Sequence, residues 1–247
     1  MPRHARTIVP EVATHIVQRG NNRGACFFSD ADRLVYLAQL GILSSRHGCA
    51  VHAYCLMGNH VHLLVTPLRS DSCAQMMKNL GQRYVQYVNR TYDRTGGLWE
   101  GRFRSCVAQS EHYVLACYRY IESNPVRAAI VDHPGKYRWS SYRANAEGRP
   151  EPFLTPHAEF VALGKDEAAR RRSYRGMFDE SFSEELLGEI RAATNGGHAF
   201  GSQAFRNLFA RARTLPAPHE RVARTRPCGS MRASGTGQAK FALDSAS

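Results

Sequence analysis

Two histidines at alternate positions, in Asn59-His60-Val61-His62-Leu63-Leu64-Val65, are the residues of this sequence best placed to do chemistry. Alternate residues of a strand project from one face. His60 and His62 would therefore present two imidazoles side by side while Val61, Leu63 and Val65 turn into a core. Two neutral imidazoles on a rigid strand suit a divalent transition metal, and they serve Mg or Mn where carboxyl, amide or phosphate oxygens complete the shell. The same spacing also occurs in ordinary, partly exposed strand histidines, and alone it leaves both readings open. A second set lies between Glu111 and Arg127, where Tyr113, Cys117, Tyr120 and Asn124 recur at helical spacing and share one face. Tyr120 stands one turn before Asn124, so an amide oxygen could ligate a metal while the phenol attacks a phosphorus bound to it. A tyrosine stripe is equally ordinary core material, and an Asn before Pro is an ordinary helix end. Third, basic and flat side chains mix in Arg19-Gly-Asn-Asn-Arg23 and Leu98-Trp-Glu-Gly-Arg-Phe-Arg104. Arg forks onto phosphate oxygens, and Trp99 or Phe103 could stack on an unpaired base.

Composition narrows the partners of such a site. The 247 residues carry 33 Lys and Arg against 21 Asp and Glu, a formal net charge of +12. That excess favours a polyanion. No apolar run approaches transmembrane length and no basic amphipathic helix stands out, so nucleic acid is preferred to a membrane surface. The first residues are charged but lack an apolar stretch behind them, so no signal peptide is read. The seven cysteines are scattered without a CxxC pair. They fit a reducing, cytoplasmic setting rather than a zinc ribbon or a disulfide framework.

The elements that must hold these residues follow from periodicity and punctuation. Residues 12–19 alternate as a strand and end in a Gly-Asn turn cluster. Asp30 offers an N-cap to a helix closing near His47-Gly48. Residues 51–57 and 60–66 read as two strands joined at Gly58-Asn59. Ser72 to about Tyr92 reads as a long helix with Met76, Leu80, Tyr84 and Val88 on one face. Residues 103–108 read as a strand. A helix capped by Ser110 then runs to Asn124, where Pro125 should stop it. The order β-α-β-β-α-β-α has too few helices for a doubly wound sheet, so an α+β fold with a largely antiparallel sheet is expected. We place a DNA-handling domain at 1–147, a Pro- and Gly-rich linker at 148–156, a small helical appendage at 157–215 and a basic tail at 216–247, expected to be disordered.

Five segments in order make a resemblance. They are His15-Ile-Val-Gln-Arg-Gly-Asn-Asn-Arg23, Tyr54-Cys-Leu-Met-Gly-Asn-His-Val-His-Leu-Leu-Val65, Leu98-Trp-Glu-Gly-Arg-Phe-Arg-Ser105, Tyr120-Ile-Glu-Ser-Asn-Pro-Val-Arg-Ala128 and Trp139-Ser-Ser-Tyr142. Together they resemble the HUH single-tyrosine transposases of the insertion-sequence-200 type, and within them the REP-associated tyrosine transposases. The resemblance implies a ferredoxin-like core with an antiparallel sheet and helices on one side. It also implies an enzyme that cleaves and rejoins single-stranded DNA carrying hairpins. His60 and His62 match the family's HUH histidines, Tyr120 its nucleophile, and Asn124 the position of a polar third metal ligand. Arg19, Asn21, Arg23, Trp99, Arg102, Arg104 and Arg127 are the expected DNA contacts, and Mg or Mn the expected metal. Gly58 stands where these proteins commonly carry Pro, which alters the turn's stiffness but removes no ligand. The resemblance sets neither a monomer nor a homodimer.

The same residues allow other readings. A domesticated DNA-binding regulator on this fold would bind without cutting. A histidine-triad nucleotide hydrolase needs a third His two positions on, and Leu64 stands there. A metal-free RNA-binding module would leave the strand histidines idle.

Overall fold

Strand β1 (Thr14–Arg19), helix α1 (Asp30–Arg46), strands β2 (Cys49–Leu56) and β3 (His60–Pro67), helix α2 (Ser72–Thr91) and strand β4 (Arg104–Ala108) follow one another in the computed structural model, which describes residues 8–214. The sheet order is β2-β3-β1-β4 with antiparallel neighbours, and a short strand β5 (Ala199–Phe200) adds parallel to β4. A βαββαβ order with β1 and β3 central is the ferredoxin-like core that the motifs implied.

Local chemistry accounts for most boundaries. At α1 the Ser29 Oγ accepts from the Asp32 amide and the Asp32 carboxylate accepts from the Ser29 amide at 2.8 Å. This reciprocal capping box moves the cap from the expected Asp30 to Ser29. Gly58-Asn59 does join β2 to β3, with the Met57 amide donating to the His60 carbonyl at 2.9 Å. In α2 the predicted face is realised, with Met76, Leu80, Tyr84 and Val88 all 0% exposed.

Helix α3 (His112–Glu122) begins two residues after Ser110, with Glu111 at its cap in the left-handed region at φ 68°. The cap expected of Ser110 is therefore not formed. Pro125 does not end the helical path either. It lies in the first turn of a second helix, α4 (Asn124–Arg127), where no N–H donor is needed. The Arg127 amide closes that turn on the Ser123 carbonyl at 3.0 Å.

Alternation then separates two faces of the sheet. Ile16, Val61, Leu63 and Val65 are buried on the side of α1 and α2, where Gln18 also reaches Gly81 of α2. The expectation of helices on one side holds for these two helices. The opposite face is covered as well, by α3 and by α8 (Glu184–Gly196). That face carries His15 and His62, which are 1% and 5% exposed. Polar rings so deeply buried require a covering layer with hydrogen-bonding partners.

Beyond the core come α5 (Tyr142–Glu147), α6 (Ala158–Val161), α7 (Glu167–Gly176), then α8, β5 and α9 (Gln203–Thr214). Asp166 and Ser183 cap α7 and α8, their side chains accepting from the Ala169 and Leu186 amides. Residues 148–156 run beside β2, where the Thr155 amide donates to the Val51 carbonyl at 2.7 Å. The Tyr174 hydroxyl of α7 donates at 2.7 Å to the carboxylate of Glu122 on α3. The segment read as a tail, 216–247, lies outside the described residues, and so does Cys228. The six described cysteines are buried and free.

Candidate active site

Register brings the strand residues together. In the β1–β3 pairing His60 lies opposite Arg19 and His62 opposite Val17, while Arg104 of β4 lies opposite Val17 on the other side. Directly opposed residues point to one face. His15, Arg19, His60, His62 and Arg104 therefore share the face that α3 covers.

The buried rings are joined by hydrogen bonds. His15 Nε2 lies 2.9 Å from His62 Nδ1, and His15 Nδ1 lies 3.1 Å from Thr194 Oγ1 of α8. His60 Nδ1 lies 2.6 Å from Asn59 Oδ1. The His15 and His62 rings stack at 5.2 Å, and His60 meets His62 edge-on at 4.9 Å. Burial, with the Arg127 charge added, pushes His15 down to about 3. Burial, then Arg19 and Arg127, pushes His60 down to about 4. Burial also depresses His62 well below its ordinary value, with the neighbouring cationic groups acting in the same direction. These imidazoles are neutral near pH 7, as metal ligands must be.

Helices α3 and α4 bring the phenol to the same place. The Tyr120 ring lies edge-on to His62 at 5.9 Å and to His15 at 5.7 Å. Arg127 sits over that ring at 4.0 Å and donates to the Tyr120 carbonyl at 2.9 Å and to Asn124 Oδ1 at 2.8 Å. The Asn124 amide nitrogen is spent on the carbonyls of Tyr120 and Ile121. These contacts explain why the helical turn must continue past Pro125.

These residues line one cleft of about 330 Å³, with Arg19, Arg102, Arg104, Arg127 and Arg191 around it and Glu100 as its one carboxylate. Five guanidiniums beside a buried phenol suit a phosphodiester chain. Of the residues singled out from sequence, His60, His62, Tyr120, Asn124, Arg19, Arg102, Arg104 and Arg127 all line it. Three do not. Asn21 and Arg23 are exposed in the short turn after β1. Trp99 packs its ring against Tyr36 and Tyr84 and lines a separate groove beside α2.

The donor set fits a divalent metal in part through this chain alone. His60 and His62 each have one ring nitrogen committed to a protein partner, which leaves the other to bind. Asn124 Oδ1 accepts from Arg127 and, as a carbonyl oxygen, has a second lone pair. Among the described residues no three His, Cys, Asp or Glu side chains gather to hold a metal. Any shell built on the His pair must therefore be completed by oxygen from Asn124, solvent or phosphate.

Sequence reading assigned no role to His15, and it passed over Arg191, Thr194 and Asn195 of α8. Asn195 accepts from Arg104 at 2.6 Å and so ties α8 to the cleft. His15 did carry a signal, since it alternates with Arg19 along β1, but its bearing on His62 needs the strand register. Nothing in the sequence around Thr194 announces a site.

The fold is the one that the motif resemblance implied. Residues 8–124 match the family described as "Transposase IS200 like", so the resemblance drawn from the motifs holds over that stretch. Among solved structures, the chain is similar to a REP-associated tyrosine transposase bound to a REP hairpin. The identity is 14% and the TM-score 0.52, over 64% of this chain and 93% of that one. It is also matched with a putative transposase from Deinococcus radiodurans, at 21% identity and a TM-score of 0.35, over 49% of this chain and 97% of that one. No curated protein matches it. Among the described residues no helix is long and apolar enough to cross a membrane.

Proposed function

We propose that this protein cleaves and rejoins single-stranded DNA bearing a hairpin, through a covalent 5′-phosphotyrosine on Tyr120. The observation that carries the proposal is the edge-on contact of Tyr120 with His62, 5.9 Å between ring centroids, inside an arginine-lined cleft. The Tyr120 oxygen attacks the scissile phosphorus in line and a bond from phosphorus to Tyr120 forms. The bond to the 3′ oxygen breaks and leaves a free 3′-hydroxyl. A later 3′-hydroxyl reverses the exchange, so rejoining needs no nucleotide cofactor.

Arg19, Arg102, Arg104 and Arg127 hold phosphate oxygens in this scheme. Asn21 and Arg23 extend the basic rim from the turn after β1, and Trp99 serves a base beyond the cleft. His60, His62 and Asn124 would hold Mg or Mn, which when bound supplies charge neutralisation at the phosphate. The DNA-handling unit remains 1–147 with 148–156 as connector, and α8 of the 157–215 appendage adds Arg191, Thr194 and Asn195 to its cleft. The buried free thiols support a reducing, cytoplasmic setting.

The test is incubation with hairpin-bearing single-stranded DNA and Mn, followed by denaturing electrophoresis for a protein–DNA adduct. Tyr120→Phe should abolish the adduct while Tyr113→Phe retains it. Tight hairpin binding with no adduct in the unaltered protein would favour the regulator reading. An adduct that survives Tyr120→Phe would remove Tyr120 from its role.

A further inference from the structure

We infer that His15 is a positioning residue that sets the tautomer of His62, through a hydrogen-bond relay anchored on Thr194. The relay serves the metal site proposed above, but its geometry can be read without a metal.

The direction of each bond follows from counting protons. The Thr194 hydroxyl donates at 2.8 Å to the Ile190 carbonyl, one turn back in α8. A hydroxyl has one proton to give and two lone pairs. The 3.1 Å contact with His15 must therefore be a donation from His15 Nδ1–H to Thr194 Oγ1. Cys106 Sγ, 3.3 Å from the same oxygen, fits as the second donor. Thr194 is then fully used.

A neutral imidazole carries one N–H. With that proton on Nδ1, His15 Nε2 holds a lone pair and accepts from His62 Nδ1–H at 2.9 Å. The free lone pair of His62 is thus on Nε2. An independent anchor gives His60 the same tautomer. Asn59 Nδ2 donates to the Arg23 carbonyl at 3.1 Å, which turns its Oδ1 toward His60 Nδ1. Both strand histidines then carry their proton on Nδ1 and keep Nε2 bare. Partners that fix the tautomer of a ligating His commonly affect metal affinity by about 10–100-fold. The anchor residue comes from α8, 179 positions along the chain from His15.

The test begins with the metal-free, ¹⁵N-labelled protein, whose long-range ¹H–¹⁵N spectra report each ring's tautomer. The relay requires Nδ1–H at His15 and at His62. Nε2–H at His62 would overturn it. Mn affinity, read by electron paramagnetic resonance, supplies the second arm. His15→Phe keeps a flat ring but no acceptor and should weaken Mn binding about 10–100-fold. His15→Gln restores an acceptor oxygen and should recover most of that loss. Thr194→Val should free the His15 tautomer and weaken Mn binding in the same direction, which covers the case in which His15→Phe fails to fold. Unchanged Mn affinity in folded His15→Phe, with His60→Ala binding lost, would overturn the relay alone. Unchanged affinity in His60→Ala would overturn the metal site itself, and the tautomer spectra would still decide the relay.

Discussion

Arg127 grips Tyr120 twice, with its guanidinium 4.0 Å over the phenol ring and one Nη donating at 2.9 Å to the Tyr120 carbonyl. Its other Nη donates to Asn124 Oδ1 at 2.8 Å. One planar fork therefore fixes the proposed nucleophile and the proposed third ligand together. A lysine would keep the charge but could not span both acceptors. We expect Arg127→Lys to slow adduct formation by about 10²-fold while hairpin affinity falls only a few-fold, because the charge is kept and the misplacement of a reacting group costs on this scale. Single-turnover adduct kinetics beside a binding titration separate the two. Equal losses in rate and affinity would reduce Arg127 to a phosphate contact.

Arg191 enters the cleft from α8, well beyond the matched 8–124 segment. Its side chain is exposed, as a phosphate contact requires. Arg191→Ala should lower the slope of log affinity against log salt by about one unit and leave the metal site unaffected. A salt titration of hairpin binding checks this. An unchanged slope would mean that the DNA does not reach α8.

Much of this arrangement was legible in the residues. The His60–His62 alternation, the α2 face and the βαββαβ order all rest on local periodicity, which a sequence records directly. Tyr120 and Asn124 were legible as one helical face. What escaped depends on tertiary register. His15 gains its role only because Val17 lies opposite His62, placing His15 diagonally beside it. Thr194 gains its role only because α8 packs on β4 and β1. Pro125 misled because its effect depends on position: inside a helix it breaks the ladder, but at the first turn of α4 it displaces no donor. At Trp99 the sequence shows a flat side chain among arginines but not the packing of Tyr36 and Tyr84, from the two core helices, on its ring.

The depressed histidines predict how metal binding responds to acid. An ordinary imidazole near 6.5 is about 90% protonated at pH 5.5, and two such ligands would cost about 100-fold in affinity between pH 7.5 and 5.5. Here burial and the Arg19 and Arg127 charges disfavour the imidazolium, with His60 down at about 4. Mn affinity should therefore change by less than about twofold over that range. Isothermal titration at the two pH values reads it. A tenfold or larger weakening would show that the rings titrate as solvated groups.

Glu122 offers a test of what fastens the appendage to the core. Its buried carboxylate accepts from Ser141 Oγ at 2.5 Å, Asn145 Nδ2 at 2.8 Å and Tyr174 Oη at 2.7 Å, joining α3 to α5 and α7. Burial raises it to about 7 from an ordinary 4.5, against the pull of those three donors. The folded state therefore binds more protons than the unfolded chain between these values, and this group's contribution to stability falls as pH rises through that window. The depressed histidines act in the opposite sense, because their unfolded forms take up protons first. A melting curve of the unaltered protein alone would mix the two effects. Glu122→Gln removes the first and keeps the second, with the Tyr174 hydroxyl free to turn and accept from the new amide. The difference in Tm, unaltered protein minus Glu122→Gln, should fall by about 5 °C from pH 5 to pH 8. A pH-independent difference would mean that Glu122 holds the same charge in the folded and unfolded chain. The fastening would then be a permanent ion held by three donors rather than a carboxyl that gains its proton on burial.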